Sequence, residues 1–165
     1  MDVLILSISY SVHLLATAVW AGGLLLMAVM VYPAWRLGSV DNNNWLNWQK
    51  RLMPWINGSL VLLLITGFYQ MTSDTNYTGF LNIDSTWAWA MLFKHIAYVI
   101  LVVAMVWLQF GLHPSMERTA VLAQKRPQLA ATEQAKLEQQ EQRLLTTNLI
   151  LAVVILVCTA VATAV

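Results

Sequence analysis

The stretch Leu144-Leu-Thr-Thr-Asn-Leu-Ile-Leu-Ala-Val-Val-Ile-Leu-Val-Cys-Thr-Ala-Val-Ala-Thr-Ala-Val165 decides what kind of protein this is. It contains no charged side chain and follows directly on Arg143. The hydrocarbon layer of a membrane is about 30 Å thick, and a helix rises about 1.5 Å per residue, so about 20 apolar residues are enough to cross it. Three further stretches meet the same requirement, over about residues 4–32, 54–72 and 87–112. The composition agrees: 59% of the 165 residues are hydrophobic and 10% charged, against roughly a quarter charged in soluble domains. The expected fold is all-α, a single bundle of four transmembrane helices in the lipid bilayer.

Basic residues collect in cytoplasmic loops. Arg36, Lys50 and Arg51 lie between the first and second stretches, and Arg118, Lys125, Arg126, Lys136 and Arg143 between the third and fourth. The connection from Ser73 to Thr86 has Asp74 and Asp84 but no Lys or Arg, and only Asp2 precedes the first stretch. The expected topology therefore has both termini on the outer, periplasmic side of a bacterial cytoplasmic membrane. Without a basic region ahead of it, and with an apolar run longer than a signal core, the first stretch reads as a retained span. The formal net charge of +1 gives no reason to expect a nucleic-acid partner.

The inner loops carry the remaining local structure. Asp41, Asn42, Asn43 and Asn44 can cap a short interfacial helix that brings Trp45, Trp48 and Trp55 to headgroup depth before the second span. Residues 114–143 read as a cytoplasmic helical hairpin with its tip near Pro127. Its second arm, rich in Ala, Glu, Gln and Leu, runs unbroken into the fourth span. Pro114 and Pro127 are each expected to bend or interrupt a helix, and the charged face of the hairpin reads as solvated. No internal repeat stands out, although the spans can be grouped as two hairpins.

Ionisable side chains within spans are costly and tend to be functional, which singles out His13, Lys94 and His95. His13 is about nine residues from the outer end of its span and His95 about eight, so both lie some 12 to 14 Å deep. Two neutral imidazoles at one depth suit the axial positions of a haem iron. Small residues at Ala16, Gly22, Gly23 and Gly67 would leave room for a flat macrocycle, or simply let helices pack closely. Lys94 could meet a haem propionate, and Tyr98, one turn beyond His95, could orient an imidazole or donate to a propionate. Trp87 and Trp89 read as an interfacial belt. His113 lies roughly 27 Å from His95 along the helix and reads as an exposed interfacial residue, with an inner metal or proton site as the alternative.

Methionines offer a rival chemistry, because thioethers suit monovalent copper. Met27, Met30, Met53, Met105 and Met116 lie toward the inner side, Met71 and Met91 toward the outer. They could form a track, or fill gaps in an apolar core. The single cysteine, Cys158, excludes an intrachain disulfide. No HExxH, glycine-rich phosphate loop or GxSxG sequence is present.

The run His13-Leu-Leu-Ala-Thr-Ala-Val-Trp20-Ala-Gly22-Gly23 resembles the first span of the copper-resistance D (CopD) family and of the related HemJ-type protoporphyrinogen oxidases, in which tryptophan and glycine follow a histidine. Lys50-Arg51-Leu52-Met53-Pro54 with Thr66-Gly67 is similar to their second span, and Trp89-Ala-Met-Leu-Phe-Lys94 to the start of their third. Arg143-Leu-Leu-Thr-Thr-Asn148 resembles the start of the HemJ-type fourth span, but Leu149 and Ile150 stand where acidic and proline residues are expected. The resemblance implies a four-helix membrane bundle. It puts the role of the family's first-span histidine on His13 and that of its lysine on Lys94. His95 is no part of the motif, and its role rests on depth alone.

The sequence thus yields three readings. The first is a b-type haem protein with His13 and His95 as axial iron ligands and Trp20, Gly67, Lys94 and Tyr98 around the cofactor. Such a protein would act in electron transfer, with a redox partner or as the haem-bearing subunit of a larger membrane complex, and could form homo-oligomers. The second is a HemJ-like porphyrinogen oxidase. The third is a CopD-like copper transport or resistance protein.

Overall fold

The computed structural model describes residues 3–37, 42–77, 79, 82–123 and 126–164, and no strand occurs among them. The elements are α1 (Val3–Leu25), a π turn (Leu26–Val31), α2 (Tyr32–Arg36), α3 (Asn42–Ser73), α4 (Thr86–Val106), a second π turn (Trp107–Leu112), α5 (His113–Ala123) and α6 (Pro127–Ala164). Four helical stretches are long and apolar enough to cross a membrane: Val3–Ala34, Asn47–Ser73, Thr86–Ala123 and Gln128–Ala164. Each carries large apolar side chains on its outside, such as Leu14, Leu64, Val103 and Val153. In water that surface would be prohibitive, whereas acyl chains cover it without cost. The protein is a multi-pass membrane protein.

Both π turns have the same cause. Pro33 and Pro114 have no N–H to donate, and their rings crowd the carbonyl four residues back. The chain answers by widening the turn just ahead of each proline. The Tyr32 N–H bonds to the carbonyl of Met27, and the His113 N–H to that of Leu108, in both cases five residues back. Pro114 therefore does not end the third span, and α5 continues it to Ala123. Helix α3 likewise passes through Pro54 without a break, so the short separate helix expected before the second span is instead the first turns of α3. Asp41, expected as its cap, lies outside the described residues.

An internal repeat, not visible from residue identities, shows in which positions are buried. Ala16, Trp20, Leu24, Met27 and Tyr32 are buried in the first span, and Ala97, Leu101, Met105, Leu108 and His113 are buried at the same spacing in the third. The π turn and the proline fall at the same place in each series. Gln49, Met53, Ile56 and Leu60 in the second span correspond in the same way to Glu141, Leu145, Asn148 and Ala152 in the fourth. The runs Gln49-Lys-Arg-Leu52 and Glu141-Gln-Arg-Leu144 mark that register in the sequence. Only buried side chains are constrained by packing, and lipid-facing positions vary, so the repeat is blurred in the sequence.

The chain divides into two compact units, Met1–Leu92 with Cys158–Val165, and Phe93–Val157. In the first, α1 packs along α3. In the same unit, Met71, Trp87, Ala90 and Ala162 form a buried cluster, with Tyr77 set edge-on to Trp87 at 6.5 Å between ring centroids. Trp87 thus belongs to the core, and only Trp89 of the expected pair is exposed. In the second unit, the third and fourth helical stretches are the arms of an antiparallel hairpin and meet where Asn148 Nδ2 donates to Met105 Sδ at 3.3 Å.

Candidate functional site

The site in the first unit is built by the pairing of α1 with α3. Three contacts share one antiparallel register. Gln70 Nε2 donates to Ser9 Oγ at 3.3 Å, His13 Nδ1 lies 2.7 Å from Thr66 Oγ1, and Gly23 lies against Ile56. The Gly23 contact is close, since a Cβ there would come within 3.0 Å of the Ile56 side chain. Small residues on facing helices are what allow this approach.

The geometry around His13 favours the tautomer with its proton on Nδ1. The Thr66 hydroxyl has one hydrogen, and its oxygen sits 2.6 Å from the carbonyl of Leu62, which can only accept. Thr66 therefore donates to Leu62 and accepts from His13 Nδ1–H. In the neutral imidazole the lone pair then lies on Nε2, the arrangement in which an outer hydrogen bond orients a metal-ligating histidine.

Gly67 follows Thr66 and completes the seat. A Cβ at Gly67 would lie 3.3 Å from His13 Cε1 and 3.9 Å from Nδ1. The small residue at Gly67 thus lies against the imidazole. Trp20, two turns along from His13 on the same helix face, is 2% exposed. Its Nε1–H has no partner among the described residues, so a ligand reaching that depth would meet an unspent donor. Met27, Met53 and Met71 are also buried in this unit, whereas Met30 is exposed.

Lys94, His95 and Tyr98 belong to the second unit, where all three are half-buried. His95 and Tyr98 share a face of α4, as their spacing requires. At the other end of this unit, four polar residues are buried: Thr119, whose hydroxyl donates to the Ser115 carbonyl, and His113, Glu141 and Asn148. His113, expected to be exposed, is 8% exposed, and Glu141 and Asn148 are completely enclosed. The hairpin read as solvated thus has one of its carboxylates inside the protein. Sequence reasoning passed over Thr66, Glu141 and Asn148 as site residues. The signal for the last two was their heptad spacing, with the one charged residue between them, Arg143, exposed. Among the described residues, no three His, Cys, Asp or Glu side chains come together as a metal site. A metal would have to draw on thioethers or on a smaller ligand set.

A family model described as copper resistance protein D matches residues 46–162. The chain belongs to the CopD family. The match takes in the second, third and fourth spans and begins beyond His13, so the part assigned to His13 rests on its own geometry. Neither the curated proteins nor the solved structures include a match to this CopD-family chain.

Proposed function

We propose that this CopD-family protein handles copper within the membrane and that His13 ligates the metal through Nε2. The observation that carries the reading is the fixed tautomer: the Thr66 hydroxyl is spent on Leu62, so His13 Nδ1–H donates to it and the basic nitrogen is Nε2. Imidazole and thioether are suitable donors for copper, and the family's description names that metal. The bias of basic residues supports an inner-membrane location with both termini outside.

A b-type haem protein is the second reading. The same tautomer serves an axial haem ligand equally well, and His95, counted along the sequence, lies at the depth required for a second. The family's description favours copper over haem.

Metal analysis and a visible spectrum of the purified protein test both readings. Copper that co-purifies, or binds on addition, and whose stoichiometry falls in His13→Ala supports the first. A low-spin b-type spectrum that disappears in His13→Ala supports the second. Retention of the full wild-type content of either metal by His13→Ala removes His13 from the site, and binding of neither overturns both readings.

A further inference from the structure

The repeat lets one half of the protein serve as a control for the other. At equivalent buried positions the first half has Tyr32, Gln49 and Ile56, and the second has His113, Glu141 and Asn148. The first half shows that neutral side chains of similar size satisfy the packing of this fold. A fully enclosed carboxylate needs compensating partners, and ionisable groups within spans mark ion or proton sites. All three changes go from neutral or apolar toward ionisable or more polar, and all three fall in one unit.

The three residues also fall on one side of one hairpin. Asn148 Nδ2 donates to Met105 Sδ at 3.3 Å, which sets the register between the third and fourth helical stretches. His113 is eight positions beyond Met105 toward the turn, and Glu141 seven positions before Asn148 toward the same turn. At about 1.5 Å per residue the two lie at the same level to within about one residue's rise. Met116, one turn beyond His113 on the same face, is buried as well. Farther from the turn, Asn148 is completely enclosed and its Oδ1 has no partner among the described residues, a polar atom that a bound ligand could satisfy.

We propose that the second half has a cation site that the first half lacks, in which the His113 imidazole and Met116 thioether ligate monovalent copper and the Glu141 carboxylate neutralises its charge. Imidazole and thioether match this soft cation. A monovalent ion held away from water needs one compensating negative charge, and Glu141 provides one. Asn148 Oδ1 and Met105 continue the polar stripe two helical turns deeper, about 10 Å along α6. The choice of copper as the cation rests on the proposed function; the location of the site does not.

The test is anaerobic copper(I) binding by the full-length protein in detergent, in competition with a chromophoric chelator. The variants are the double substitution His113→Tyr with Glu141→Gln, and separately His13→Ala. The double substitution installs the residues that the first half tolerates at the same positions, and circular dichroism checks that the helices remain. The double variant is expected to bind one equivalent less than the wild type, and His13→Ala to retain the equivalent that the double variant loses. Wild-type stoichiometry and affinity in the double variant would overturn the inner site, whatever His13→Ala does. If instead His13→Ala binds as the wild type while the double variant loses its copper, the inner site stands and the reading of His13 falls. No copper bound by the wild type would overturn both.

Discussion

His13 Nδ1 and Thr66 Oγ1 stand 2.7 Å apart across two antiparallel helices, and the threonine's own proton is already given to Leu62. One hydroxyl thereby fixes both the tautomer and the orientation of the ring. Removing the acceptor without changing the shape is a direct test. Thr66→Val should lower metal affinity about 10- to 100-fold, the usual range for losing the outer hydrogen bond of a ligating histidine. Thr66→Ser should retain most of it. Chelator competition measures both, and equal affinity in Thr66→Val would show that Thr66 does not position the ring.

Gly67 and Gly58 on α3 should respond oppositely to the same substitution. Nothing lies within 4 Å of a Cβ at Gly58, so Gly58→Ala should raise stability by up to about 1 kcal/mol through helix propensity. At Gly67 the Cβ meets His13 Cε1 at 3.3 Å, so the ring must shift by a few tenths of an ångström. Gly67→Ala should gain less stability than Gly58→Ala and weaken metal binding, while Gly58→Ala leaves binding unchanged. Thermal unfolding together with a binding titration separates the two effects.

Asn148→Leu should stabilise the metal-free protein by about 1 kcal/mol. It removes an enclosed Oδ1 without a partner and a weak N–H···S bond, and puts an apolar side chain of similar size in their place. Thermal midpoints in metal-free detergent solution provide the measurement, and a lower midpoint would mean that the amide contributes more than it costs.

The orientation of the spans can be tested with single cysteines in a Cys158→Ala background. Asn76→Cys, in the connection without basic residues, should react with a membrane-impermeant maleimide added to intact cells. Gln139→Cys, in the exposed part of α6, should react only after permeabilisation. Equal labelling of both from outside would show that the basic residues of the inner loops do not set the topology.

Much of the architecture was legible in the sequence, because lipid imposes a length and a composition on anything that crosses it. The stretch from Leu144 onward, and three others like it, could satisfy their backbone hydrogen bonds in the hydrocarbon layer only as helices. The helical character of the segment from Gln128 to Leu145, and its continuity with the fourth span, followed from propensity alone. His13 stood out as an ionisable residue in an apolar run, and the depth of such a residue is a matter of counting at a fixed rise.

Contacts between helices were not legible, because they depend on rotation and register, which apolar sequence hardly constrains. Nothing in the residues around Thr66 indicated that its oxygen would meet His13, or that Gly67 would seat the imidazole. Pro114 looked like a helix end, but a widened turn takes up a missing N–H at less cost than breaking a span in lipid. His113 looked like an exposed interfacial residue and Glu141 like part of a solvated charged hairpin. Only the tertiary structure put them inside, and only the matching burial of Tyr32 and Gln49 showed that neutral side chains suffice at those positions. The sequence by itself determined that the chain enters the membrane and how many times it crosses, since these follow from the solvation of single helices. Which side chains meet was decided by the tertiary structure, since close packing between helices depends on sub-ångström fit that no single helix contains.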